Sequence, residues 1–283
     1  MSINEIYQTF LRINEEKRKS DTATILYYIG NIFSLIYFTT PLIQIIRAYK
    51  KTLDKEAIPL PLLIFIILNC LLWLLNAIAS QEPTEWIPLL ISNGIGIILN
   101  LAILFLYLNL LLEKNVKRFF FFGFFAINVI VQIAYGMFRY IILKDKDTKE
   151  NAQIQSEFHA IGFAATIINI LMYSSPIFNI IKLFKKKSSD LLPIFTLGVG
   201  FFCTMTFLIQ GVVTYNFYDY EDEKDQRTYA VETIVSNGIS FFFIVCQIGF
   251  WTYYRLTQMN KEPKMNKLNE QLSENKLNES KDN

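Results

Sequence analysis

The residues of this chain best suited to selective chemistry are two asparagines. SNGIG at 92–96 and SNGIS at 236–240 each set an Asn-Gly pair inside a long apolar run. Asn-Gly is ordinarily a turn signal. Here it lies within WIPLLISNGIGIILNLAILFLYLNLLL and YAVETIVSNGISFFFIVCQIGFWTYY, runs long enough for buried helices. In an apolar medium an intact helix satisfies its own backbone, so the pair reads as helical. The amides of Asn93 and Asn237 each carry two donors and an acceptor oxygen. That suits neutral groups which both give and accept hydrogen bonds, hydroxyls above all. One such asparagine alone would read as a bond to a neighbouring helix. Two at matching places point to a shared pocket. Gly94 and Gly238 are expected to let neighbouring helices approach closely.

The rest of the polar inventory is informative by what it lacks. No Asp, Glu, Lys, Arg or His falls in the middle of an apolar span, and His159, Glu232 and Arg139 sit near span ends. Carriers driven by protons or sodium, and carriers of charged solutes, generally mark their path with intramembrane ionisable groups. Uncoupled passage of a neutral, hydroxyl-rich solute is the simplest expectation. No phosphate-binding glycine loop, nucleophile–base set or metal cluster is present, so neither an enzyme nor a cofactor is expected.

The elements that must position the asparagines are membrane helices. The chain is 52% hydrophobic, with 25 Phe, 15 Tyr and only 18% charged residues, against about a quarter charged in soluble domains. Its charges fall between apolar stretches of about 20 residues, the length that crosses a ~30 Å hydrocarbon core. Seven spans are expected, at 22–47, 57–80, 86–112, 117–142, 159–183, 191–215 and 229–255. Residues 1–21 precede them without a cleavable signal and suggest a short amphipathic helix on the membrane surface. Cys70, Cys203 and Cys246 all fall inside spans, which argues against a disulfide framework. Residues 256–283 read as a polar, disordered tail. The loops RAYKKTLDKE, EKNVKR and KLFKKKSSD are basic, whereas SQEPTE and NFYDYEDEKDQR are acidic. The excess of Lys and Arg places the basic loops and the C-terminus in the cytoplasm, of either a plasma membrane or an endomembrane.

The chain also repeats itself. YFTTPLIQIIRAYKK (37–51) matches MYSSPIFNIIKLFKK (172–186) in chemical type, EAIPL answers DLLPI, and SNG answers SNG. Spans 1–3 (22–112) and 5–7 (159–255) are thus copies of one three-helix unit. Three spans reverse sidedness, so the fourth (117–142) serves as a linker that keeps the copies parallel. The fold class is an all-α membrane protein of seven helices arranged 3+1+3, an architecture known among transporters. A retinal pump needs a buried lysine in the last span, and none is there. A rhodopsin-like receptor would show Asp-Arg-Tyr after span 3, which is also missing.

On these motifs the chain resembles the SWEET family of sugar uniporters: NxFSLxxFxxP in span 1, IPxP and LNCLLW in span 2, SNGxG in span 3, then MYSSPI, KKKSSDLLP and SNG. The resemblance runs over roughly 25–255 in both halves. It implies facilitated movement of a mono- or disaccharide by alternating access. It also implies a pocket of Asn93 and Asn237, with Trp73 and Phe207 sandwiching the sugar and Asn69 and Cys203 one turn earlier. Four hinge prolines would be Pro41, Pro59, Pro176 and Pro193, although Pro59 and Pro193 also suit ordinary helix starts. The implied partners are a sugar and the lipid bilayer, with no nucleic acid, and a homo-oligomer is compatible. The chain departs from the family at Asn76-Ala77, where Tyr-Gly is usual, which leaves the outer gate open, and at Phe207, where a tryptophan is usual. Two rivals remain: a Pro-Gln-loop carrier of amino or organic acids, and a sorting receptor of the same fold. Both would be expected to carry charged pocket residues.

Overall fold

The structure is a computed structural model that describes residues 3–50, 60–79, 87–110, 116–143, 148–177, 180, 194–217 and 224–279. Seven helices and no strands occur among them. In chain order they are α1 (Ile3–Tyr49), α2 (Leu60–Ala79), α3 (Ile87–Leu110), α4 (Val116–Leu143), α5 (Thr148–Ser174), α6 (Ile194–Phe217) and α7 (Lys224–Glu279). Five contain stretches apolar and long enough to cross a membrane, among them Asp21–Tyr49 and Arg227–Thr257. The apolar stretches of α4 and α5, Phe121–Gly136 and His159–Ser174, are shorter.

Packing follows the duplication. In the first repeat α3 packs against both α1 and α2, and in the second α7 packs against both α5 and α6. Between repeats α1 packs on α6, and α5 packs on α2. Each contact therefore has a counterpart under exchange of the two halves. The exception is α4, which leans on α2 and α3.

The polarity is that of a bundle in lipid. Ile25, Ile32, Ile36 and Ile43 lie exposed along one side of α1, while Asn31, Thr40 and Gln44 are buried on the other. Aliphatic side chains suit hydrocarbon, and polar ones find partners or cavities only inside. None of the fully buried polar side chains among the described residues carries a charge.

Two expectations about the ends need correction. The first residues do not form a separate surface helix, because α1 runs unbroken from Ile3. Residues 256–279 are helical rather than disordered, because α7 continues through Glu279. The first stretch is rich in Glu, Lys and Arg and the second in Glu, Lys and Leu, all of which favour helix, and extending a nucleated helix gains one hydrogen bond per residue. Pro59 and Pro193 lie outside the described residues.

The other two prolines explain the polar pair that precedes each. Pro41 lies inside α1 and has no N–H, so the carbonyl of Tyr37 four residues back loses its helical donor. The Thr40 hydroxyl donates to that carbonyl at 2.8 Å. In the second repeat the Ser175 hydroxyl donates to the Met172 carbonyl, four residues before Pro176, also at 2.8 Å. The residue just ahead of each proline therefore replaces the hydrogen bond which the proline removes.

Candidate functional site

The asparagines owe their orientation to their own helices. Asn93 Nδ2 donates to the Leu89 carbonyl at 2.9 Å, and Asn237 Nδ2 donates to the Thr233 carbonyl at 2.9 Å. A bond to the carbonyl one turn back leaves the helix intact, which is how Asn-Gly avoids becoming a turn. Each amide also lies near the preceding serine, at 3.5 Å from Ser92 Oγ and 3.2 Å from Ser236 Oγ. No hydrogen bond among the described residues engages either Oδ1.

A cavity lies between the two repeats, lined by residues of both. Asn93 and Asn237 line it together with Trp73, Phe207, Asn69 and Cys203, so one cavity unites all six residues singled out as a pocket. It leaves about 50 Å³ of space for the centres of water molecules. Trp73 of α2 meets Tyr229 of α7 edge to face, with ring centroids 6.1 Å apart, and both border the cavity. Phe207 of α6 packs the end of its ring against α1, where a Cβ on Gly30 would come within 2.8 Å of it.

The glycines of the Asn-Gly pairs do not have the role expected of them. A Cβ on Gly94 would meet nothing within 4 Å, and one on Gly238 would make only an ordinary 3.7 Å contact with Leu208. One residue along a helix turns about 100°, so a glycine beside an inward asparagine points elsewhere. The close approach is made three residues on from Asn93, at Gly96, where a Cβ would lie 2.7 Å from Cys70 Sγ and 2.8 Å from Phe38. Nothing in the structure explains Gly94.

Several lining residues were missed from sequence. Ser34 and Asn31 on α1, Asn169 and Tyr173 on α5, and Tyr229 and Thr233 on α7 also border the cavity. Thr233 and Tyr229 lie one and two turns before Asn237, and Ser34 and Asn169 are separated by the same 135 residues as the proline motifs. Helical spacing and the repeat offset together would have found them. Glu232 is likewise less peripheral than its position suggests. Its Oε2 is buried without a hydrogen-bond partner among the described residues. It presses on Gly162 of α5, where a Cβ would collide with it and would lie 3.1 Å from Asn76 Nδ2.

Comparison with known proteins agrees with this architecture. A family model described as sugar efflux transporter for intercellular exchange matches residues 24–115 and 159–219. Bidirectional sugar transporter SWEET8 of Arabidopsis thaliana is 28% identical over 244 residues, covering 85% of this chain and 91% of its own length. SWEET7 of the same plant is 24% identical over 234 residues, covering 81% and 80%. A solved eukaryotic SWEET transporter superposes with a TM-score of 0.59 at 19% identity, covering 84% of this chain and 98% of that one. With the family model matched over more than half of its length, the chain is a multi-pass membrane protein that belongs to the SWEET family of sugar efflux transporters.

Proposed function

We propose that the chain is a facilitative transporter that moves a mono- or disaccharide down its gradient, in either direction, through the cavity between the repeats. The observation that carries this reading is the pair of inward amides, Asn93 and Asn237, each with an unengaged Oδ1 in a cavity without charged lining residues. Such a site accepts from sugar hydroxyls and offers nothing to balance an ionised substrate. Trp73 and Phe207 supply flat apolar faces for the C–H surface of a sugar ring. Passage of a sugar into and out of the cavity would have its walls part on one face and then on the other. The interface of equivalent contacts, α1 on α6 and α5 on α2, suits a rocking of one repeat against the other, with access alternating between the two faces. Pro41 and Pro176 are then hinges, and Pro59 and Pro193 complete the set. The basic loops place the C-terminus in the cytoplasm.

Uptake of radiolabelled glucose, fructose and sucrose into transporter-deficient cells tests this. Flux of at least one sugar is expected, equal in both directions and unaffected by a sodium gradient. Asn93→Ala and Asn237→Ala should each abolish flux at unchanged surface expression, each lost partner costing ~1–3 kcal/mol. Wild-type cells that take up none of the three sugars would rule the reading out. Normal flux in both variants would return the asparagines to helix packing.

A further inference from the structure

Among the described residues, every asparagine and glutamine set well inside a membrane span is turned into the bundle, with two exceptions. Asn31 and Gln44 of α1, Asn100 of α3 and Gln247 of α7 are all buried, as a surrounding of hydrocarbon favours. Asn128 and Gln132 of α4 are exposed. Apart from Tyr135, no other residue in the run from 119 to 138 has a polar side chain. Asn128 lies midway between Arg118 and Arg139, which bound that run. Each is about 15 Å away along the helix axis, so the amide sits near the centre of a ~30 Å hydrocarbon core. Its short side chain cannot reach either surface, as a long lysine or arginine would. An amide that bonds its own helix still has a second N–H and further capacity on its oxygen. No hydrogen bond among the described residues engages Gln132. The rest of α4 packs by another face: Val129 is buried, and a Cβ on Gly136 would collide with Leu75 of α2. Phe121, Asn128, Gln132 and Tyr135 share one side at helical spacing, and all four are exposed.

We propose that this side of α4 is an interface with a second copy of the chain in the same membrane, in which the amides of Asn128 and Gln132 meet their own counterparts. An amide is self-complementary, since its N–H groups donate to the carbonyl oxygen of another. Such bonds between helices hold membrane proteins together. Insertion gives every copy the same sidedness. A two-fold axis along the membrane normal therefore sets α4 against α4 with the amides at equal depth. A different partner would need a polar group matched to that depth. Phe121 and Tyr135, each about 10 Å along the helix from Asn128, flank the amides with aromatic rings on either side. The fourth helix thereby gains a role beyond linking the repeats, and this role is independent of which solute the cavity takes.

The test reads the dimer fraction of the purified, labelled full chain in phosphatidylcholine vesicles, by single-molecule photobleaching over a range of protein-to-lipid ratios. Wild type should pass from monomer to dimer as the ratio rises. Asn128→Leu together with Gln132→Leu should weaken association about tenfold. The thermal midpoint at monomer dilution should not fall, because leucine suits a face in lipid. Gln132→Leu alone stands in if the double variant unfolds, with a loss of about threefold. Asn128→Gln together with Gln132→Asn keeps both amides and should keep the dimer. In an independent measurement, Tyr135→Cys should give a disulfide-linked dimer on oxidation with copper phenanthroline. Phe242→Cys, at an exposed position of α7, should not. A wild type that stays monomeric at every ratio overturns the interface, as does a folded leucine variant that associates like wild type. Equal cross-linking through the two introduced cysteines would overturn it as well.

Discussion

The two repeats carry the same motif through different local structures. In the first, α1 continues past Pro41 to Tyr49. In the second, α5 ends at Ser174 and the chain turns at Ser175 and Pro176. Their cores differ in the same sense. At equivalent positions the first repeat has Phe38, Cys70 and Gly96 pressed together, whereas the second has Tyr173, Thr204 and Ser240, all buried. Gln247 of α7 also donates to the Tyr173 carbonyl at 2.9 Å, where the first repeat has Ile103. Duplication thus preserved helix directions and contacts while moving one copy towards apolar packing and the other towards polar bonds. The first repeat also carries α4 against its second and third helices. Shape and chemistry diverged separately.

The largest effect should come from the prolines. If the second repeat supplies most of the bending, Pro176→Ala lets α5 extend and should slow sugar flux about tenfold, while Pro41→Ala slows it much less. Sugar binding should survive in both. Measured side by side, equal losses of flux would remove the mechanical distinction between the repeats. Parallel loss of binding and flux would remove the hinge.

The next effect sharpens the packing contrast. Gly96→Ser gives the first repeat the residue of the second, yet Cys70 and Phe38 leave no room, so a loss of ~1–3 kcal/mol is expected from overpacking. The reverse change, Ser240→Gly, removes a hydroxyl that has no partner among the described residues. It should cost under about 1 kcal/mol, mainly through backbone entropy. Thermal midpoints of the purified variants decide this, and equal shifts would show the two sites to be alike.

The smallest effect concerns the residues ahead of the prolines. Thr40→Ala and Ser175→Ala each leave a carbonyl without its hydroxyl, for a cost of ~1 kcal/mol. The cost should be greater at Thr40, where the helix runs on. A larger midpoint shift for Ser175→Ala would reverse that ranking.

Much of this was legible in the sequence because membranes simplify the problem. Span lengths, basic loops and the repeated TTP and SSP motifs lead directly to seven helices in a 3+1+3 order, and the matched SNG motifs lead to Asn93 and Asn237. What escaped depended on rotation about a helix axis. Gly96 rather than Gly94 makes the close approach, a difference of two residues that no composition argument resolves. Asn169 escaped because its counterpart is Ser34, so similarity between repeats hid the residue in which they differ. The extent of α1 and α7 escaped because polar, charged helix formers read equally well as a tail or as a continuing helix.

The hydroxyls of Thr40 and Ser175 bear on how fast such a protein can work. At an ordinary helix bend a backbone bond stretches or breaks, and that loss becomes part of the activation enthalpy. If Pro41 and Pro176 are hinges, the donor at each belongs to a side chain that can follow the joint, and the carbonyl keeps its partner as the angle changes. The bundle would then change shape without passing through a state that has lost those hydrogen bonds. Its temperature coefficient should then be set by the parting of apolar surfaces and not by the backbone, giving a joint that stays supple in the cold.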